Sequence, residues 1–284
     1  MNWIILTIAS AFFASSVQVL QRKLLKSKNS DPIAYSFVFQ LIVAVLFLLY
    51  ALATGTFEQP DITSVGLNVT LMSALYGLGS IFLFYAYKYS EASEVSIIFS
   101  TSAVWSTLTA VIFLGDKIKA DQILGMGLIV LGMILVNLKK TKWQIGKGHL
   151  FGLLGAIMFG VAFVNDAYIL GLYTSIPSYM VIAFALPALV SIIIKPSAIK
   201  SIPSFFEYKT LTKVIICSVM YSLAAMTVFS AIKIGGQPSI VNMLRQSGLV
   251  FTVLLSYFTL DEKDNMRNKW ISVILAIFGG ILLI

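Results

Sequence analysis

The chain has 284 residues, of which 58% are hydrophobic and only 11% charged, with a formal net charge of +8, one cysteine and one histidine. Soluble domains carry roughly 25% charged residues, and a mean hydropathy of +0.93 leaves more apolar surface than a water-soluble fold of this size can bury, so the composition implies a polytopic membrane protein. A single cysteine excludes an internal disulfide, and with a single histidine no Cys/His metal site can be assembled; no metal and no cofactor is expected.

Apolar runs bounded by charge, Pro or Gly predict ten spans at about 3–21, 33–54, 65–87, 93–114, 121–138, 149–170, 177–194, 211–232, 238–260 and 268–284. Arg22, Lys23, Lys26 and Lys28 follow the first apolar run instead of preceding it, the pattern of a retained first span and not of a signal peptide. Pro32, Pro177 and Pro238 lie near the first turn of their helices, where a missing N–H costs nothing. Gly125, Gly127 and Gly132 in the fifth span, like Gly279 and Gly280 in the tenth, read as close-packing surfaces, and a homodimer through helices 5 and 10 is one use for them.

The second half of the chain is a weak copy of the first. Tyr76 answers to Tyr221, Phe84 to Phe229 and Ala86-Tyr87-Lys88 to Ala231-Ile232-Lys233, at an offset of 145; Leu114-Gly115-Asp116-Lys117 matches Leu260-Asp261-Glu262-Lys263 one residue later. Five spans make each copy, so the second copy enters the membrane from the opposite side. The expected fold is all-α, ten transmembrane helices in two inverted five-helix repeats, residues 1–140 and 147–284.

The positive charge sits in short loops between apolar runs, which argues for anionic lipid and against a nucleic-acid partner. Loops after odd-numbered spans hold 16 Lys and Arg, while those after even-numbered spans hold only Lys117, Lys119 and Lys233. The positive-inside rule then predicts a multi-pass protein of the cell membrane with both termini outside.

Taken in order, the ten spans, Phe13-Ala14 and Phe159-Gly160 in the first span of each half, Ala86-Tyr87-Lys88-Tyr89 before the fourth span, and Leu-x-Asp/Glu-Lys after the fourth and ninth resemble the EamA branch of the drug/metabolite transporter superfamily. The resemblance implies a cavity lined by spans 1 to 4 and 6 to 9, with spans 5 and 10 peripheral, and alternating-access movement of amino acids or other small metabolites, most often as export. Family members commonly carry their basic residues after span 2 with termini inside, whereas Ala53 to Ser64 holds no Lys or Arg but has Glu58 and Asp61.

A charge near mid-membrane costs about 2.5 to 3.5 kcal/mol on insertion scales, so Asp166 and Arg245 call for a reason. Asp166 lies roughly 6 Å before the end of its span and Arg245 roughly 10 Å after the start of its own, on the same side. They can form a structural ion pair. Alternatively, Arg245 anchors a substrate carboxylate or phosphate, with Asp166 as a switchable partner or proton carrier and Asn165 beside it. Asn242 and Gln246 share a polar stripe with Arg245 and Ser239, and Ser93, Ser96, Ser100 and Thr101 form a similar one in span 4. Gln18, Gln40, Tyr76, Ser80 and Tyr221 add hydrogen-bonding groups, and Trp105, mid-span, offers a stacking wall or core filling. Glu91 and Glu94 are expected to be solvated or at the cavity mouth.

The expected function is a secondary transporter of a small-molecule substrate within the lipid bilayer, and not an enzyme. The sequence carries no G-x-x-x-x-G-K-[ST] motif, so ATP is not the direct energy source. A lipid or lipid-phosphate flippase on the same fold is the alternative, because Arg245 equally suits a phosphate. An intramembrane enzyme is the third reading, and an acid/base pair within the spans is lacking for it.

Overall fold

The computed structural model describes residues 2–27, 30–59, 65–114, 119–139, 142–143, 145–170, 175–235, 241, 244–245 and 247–282. These fold into α1 (Trp3–Leu25), α2 (Pro32–Ala53), α3 (Gly66–Tyr89), α4 (Ala92–Phe99), α5 (Ser102–Leu114), α6 (Ala120–Asn137), α7 (Lys147–Leu170), α8 (Ile176–Ile194), α9 (Tyr208–Lys233), α10 (Gly248–Leu260) and α11 (Met266–Leu282). A 3-10 helix, Pro196–Phe205, follows α8. The basic link after α6 contains a two-residue antiparallel pairing of β1 (Leu138–Lys139) with β2 (Lys142–Trp143).

Seven helices are long and apolar enough to cross a membrane: α1, α2, α3, α4 with α5 taken together, α7, α8 and α9. The chain is a multi-pass membrane protein. The spans expected at 121–138, 238–260 and 268–284 appear among the described residues as the shorter helices α6, α10 and α11. Pro238 and Ser239 lie outside the described residues.

Local chemistry sets the helix starts. Asp31 accepts from the backbone N–H groups of Ile33 at 3.0 Å and Ala34 at 3.4 Å, with Pro32 at the first helical position, and Ser175 accepts from Ser178 N–H at 3.3 Å ahead of Pro177. These caps satisfy donors that a helix end leaves open. Asp31 also accepts from Lys195 Nζ at 3.1 Å, joining the start of α2 to the end of α8.

The fourth span is not one continuous helix. Ser100 Oγ donates to Ile97 O and Thr101 Oγ1 to Ile98 O, both at 2.7 Å, just where α4 gives way to α5. A hydroxyl that occupies a carbonyl three residues back competes with the helical ladder, which permits the interruption. Ser247 does the same ahead of α10, donating to Leu244 O at 2.6 Å.

Packing runs in pairs: α1 on α9, α2 on α8, α3 on α7 and α6 on α11, with α5 also on α7 and α10 on α1. The largest core lies among α2, α3, α8 and α9, where the buried Tyr35 meets Phe84 edge-on at 4.9 Å and stacks on Phe39 at 5.7 Å. Cys217 is fully buried in this core. The α6 and α11 glycines face one another inside the chain: a Cβ on Gly125 would stand 2.5 Å from Gly279 O, and one on Gly279 would stand 2.6 Å from Gly125 O. This part of the close-packing surface is therefore used within the chain, whereas Gly127 has nothing within 4 Å.

Gly125→Ala should lower stability by about 1–3 kcal/mol, because the added methyl meets backbone that must move. Gly127→Ala should leave it unchanged or raise it by up to about 1 kcal/mol through helix propensity. Thermal unfolding of both variants in detergent checks the contrast.

Candidate functional site

A cavity of about 300 Å³ lies between the helices, lined by residues of α1, α2, α3, α4, α5, α7, α8, α9 and α10 together with Arg245. α6 and α11 contribute nothing to it. Its wall is mostly aromatic and aliphatic, with a few polar groups in fixed places.

Gln18 on α1 accepts from Ser96 Oγ at 2.6 Å and Thr252 Oγ1 at 3.0 Å, so one amide ties α1 to α4 and α10. Ser15 Oγ reaches Gly248 O at 2.7 Å, holding the beginning of α10 against α1. Gln40 donates to Ser36 Oγ at 2.7 Å, and Ser36 Oγ lies 3.0 Å from Ser191 Oγ on α8. Tyr76 meets Phe159 edge-on at 5.0 Å, and Tyr221 meets Phe39 at 5.4 Å and Phe184 at 5.5 Å in the same manner.

The two intramembrane charges do not form an ion pair. Asp166 accepts from Tyr76 OH on one oxygen and from Tyr179 OH on the other, each at 2.5 Å. Two hydroxyls thus meet the charge that an arginine was expected to meet, as a buried carboxylate requires. Arg245 is half-buried in the cavity wall, and among the described residues its Nε has no hydrogen-bond partner. Tyr221 and Tyr76 are near enough to interact with it electrostatically.

Of the residues singled out in the sequence, Gln18, Gln40, Tyr76, Ser80, Ser100, Asp166, Tyr221 and Arg245 line this cavity. Asn165 does not: it accepts from Asn68 Nδ2 at 2.7 Å and donates to Asn68 O at 2.8 Å, clamping α7 to α3. Trp105 is also absent from the lining. Its Cβ would stand 2.7 Å from a Cβ on Gly160, which places it on the seam where α5 approaches α7. Asn242 and Gln246 lie outside the described residues. The span 4 stripe divides, with Ser96 and Ser100 lining the cavity and Ser93 and Thr101 buried away from it. Tyr179, Phe99 and Gln21 are lining residues that the sequence reading missed. Tyr179 has Ala34 as its counterpart at an offset of 145, so the internal repeat carried no signal for it.

At one end of the cavity, beyond Gln21 and Tyr87, charged residues knit five helix ends together. Arg22 Nη1 donates to Tyr87 O at 2.7 Å and Lys88 O at 2.8 Å, the closing carbonyls of α3, and its Nε lies 3.4 Å from Glu262 Oε1. Glu262 Oε2 accepts from Ala92 N–H at 2.9 Å, at the start of α4. The fully buried Lys269 pairs with Glu91 and donates to Glu262 O at 3.3 Å. Glu94, expected in solvent or at the mouth, is instead 2% exposed and lies 3.1 Å from His149 Nε2, with neither residue in the cavity lining. The contact of α4 with α7 encloses it.

Residues 1–138 match the model of the EamA-like transporter family. The match spans just under half of the chain. Two relatives are similar in sequence: the uncharacterized transporter YetK of Bacillus subtilis (strain 168), 28% identical over 127 residues, 44% of this chain and 37% of the relative, and an uncharacterized transporter of Archaeoglobus fulgidus, 24% identical over 269 residues, 90% of this chain and 86% of the relative. A solved crystal structure of a protein is similar over 99% of this chain and 95% of its own, with a TM-score of 0.61 and 14% identity. That last likeness concerns fold alone. The cavity draws on both the EamA-like half and the remainder of the chain.

Glu262, in the loop after α10, has its carboxyl raised above the usual range, chiefly by burial, against the lowering effect of the Ala92 N–H. A raised folded value means a contribution to stability that is fully present below the unfolded pKa and is lost as pH rises through the folded one. The difference in melting temperature, wild type minus Glu262→Gln, should therefore fall as pH rises above the ordinary glutamate value of about 4.3, read by thermal unfolding across a pH series.

Proposed function

We propose that the protein is a secondary transporter that moves small metabolites across a membrane by alternating access at the cavity beside Arg245. The observation that carries this reading is a guanidinium in the wall of a cavity between the helices, with its Nε buried and unpartnered among the described residues. A permanently charged group held this way in a low-dielectric site is an anchor awaiting an anion. The EamA-like match over residues 1–138 and two relatives described as uncharacterized transporters support the same class of function, without enzymatic chemistry. Amino acids and export are the expectations that the family likeness brings.

The mechanism needs two halves that can rock about a shared site. In support, exchanging the halves at an offset of about 145 residues carries α1 onto α7, α2 onto α8, α3 onto α9, α5 onto α10 and α6 onto α11. It also turns the α1/α9 contact into α7/α3, turns α5/α7 into α10/α1, and returns α2/α8 and α6/α11 to themselves. This exchange supports a reading as two inverted five-helix repeats, ten spans in all. Loop charge supports an orientation with the Arg22 and Glu262 end of the cavity on the cytoplasmic side of a cell membrane and the termini outside. A homodimer on the α6 and α11 side would use the face that Gly127 leaves open.

Arg245→Ala should reduce flux of radiolabelled amino acids and small organic acids in proteoliposomes on the order of tenfold or more, with the melting temperature within a few degrees of wild type. Unchanged flux in a folded variant removes Arg245 from the site.

A further inference from the structure

The cavity also carries information about what it takes. Among its described lining residues only two side chains bear a formal charge, Asp166 and Arg245, and they are used differently. Both oxygens of Asp166 accept tyrosine hydroxyls, and the residue is 8% exposed, so it faces the cavity behind Tyr76 and Tyr179 rather than as an open carboxylate. Arg245 has no ion pair with Asp166 or with any other described residue, and its Nε is sealed from solvent without a partner. The cavity therefore has one uncompensated positive centre and no open negative one.

The remaining wall is apolar and largely aromatic, including Phe39, Phe84, Phe99, Phe159 and Phe163. Its volume of about 300 Å³ is at the small end of the roughly 300–1,000 Å³ of ligand pockets, which suits a small molecule. Near the guanidinium, α10 begins at Gly248, itself a lining residue.

We propose that the ligand is a monocarboxylate anion with an aromatic or similarly bulky apolar body and no ammonium group. This rests on the transporter reading above and narrows it away from amino acids. One guanidinium neutralises one carboxylate, and its planar fork accepts both oxygens at once. The body of the ligand then takes the place of water against the rings. An ammonium on the same molecule would lose its hydration with no open carboxylate to meet it, a cost that falls on zwitterions and amines alike. The same logic operates from the protein's side, because the anion removes the uncompensated charge of Arg245 and so binds more tightly than its contacts alone would provide.

Three probes that share a phenylethyl frame separate the charge states: 3-phenylpropionate, phenylalanine and phenethylamine. Calorimetry with the purified full chain should find the acid binding roughly tenfold or more tightly than phenylalanine, with no binding of the amine. Arg245→Gln should abolish the preference for the acid and Arg245→Lys should retain part of it, each variant first verified as folded by circular dichroism and its melting temperature. Phenylalanine binding as well as the acid, with Asp166→Asn removing that binding, overturns the proposal and leaves a transporter of zwitterions. Absence of binding by all three overturns the proposed aromatic body. Flux of 3-phenylpropionate in proteoliposomes separates the two readings: tight, Arg245-dependent binding without flux keeps the ligand class and rejects the carrier.

Discussion

A guanidinium stays charged at any pH a cell reaches, so a bilayer that contains one must surround it with something other than hydrocarbon. In this chain Arg245 meets that demand by standing in the wall of a cavity, beside Tyr221 and Tyr76, immediately before a break in its helix. Much of the surrounding arrangement follows from it. The hydroxyl of Ser247 takes up the carbonyl of Leu244, Ser15 holds Gly248 from across the α1 boundary, and the aromatic rings of α2, α3 and α7 close the remaining sides. Asp166, the other charge, accepts two tyrosine hydroxyls, and among the described residues the arginine is left without a fixed partner.

How far this was legible in the sequence differs by level. Apolar runs located α1, α2, α3, α7, α8 and α9 to within a few residues, because burial in lipid requires a length of apolar chain that little else produces. The breaks at Ser100-Thr101 and Ser247 were not visible, since a hydroxyl that interrupts a helix and one that merely back-bonds within it look alike in sequence. Tyr76, Ser80, Gln18 and Arg245 could be placed at the site because polar residues within apolar spans are costly and therefore conspicuous. Trp105 and Asn165 satisfied the same criterion and face elsewhere: which side of a helix a residue occupies depends on its neighbour, and the approach of α5 to α7 at Gly160 is a tertiary fact. Tyr179 was overlooked because a tyrosine near a helix start reads as an interfacial anchor until its hydroxyl is seen on Asp166.

The charged end differs in kind from the cavity. Arg22, Glu262, Glu91 and Lys269 belong to different helix ends, and each partly satisfies backbone groups that the helices leave open as well as the opposite charge. Such a mesh is cooperative: separating α10 from α4 at this end exposes the Ala92 N–H, the Glu262 carboxylate and the Arg22 guanidinium together. The Glu94–His149 contact adds a further connection, between α4 and α7. These contacts are polar and run through side chains, unlike the backbone-to-backbone contact of α6 with α11 at Gly125 and Gly279.

The burial of Cys217 has a practical consequence. The native thiol is sealed behind Tyr35 and the packed rings of α2 and α3, out of reach of water-borne maleimides or methanethiosulfonates while the protein is folded. Wild type is therefore already a silent background for accessibility scanning, and a cysteine introduced along the cavity wall reports by its labelling rate when, and from which face, that wall meets bulk solvent.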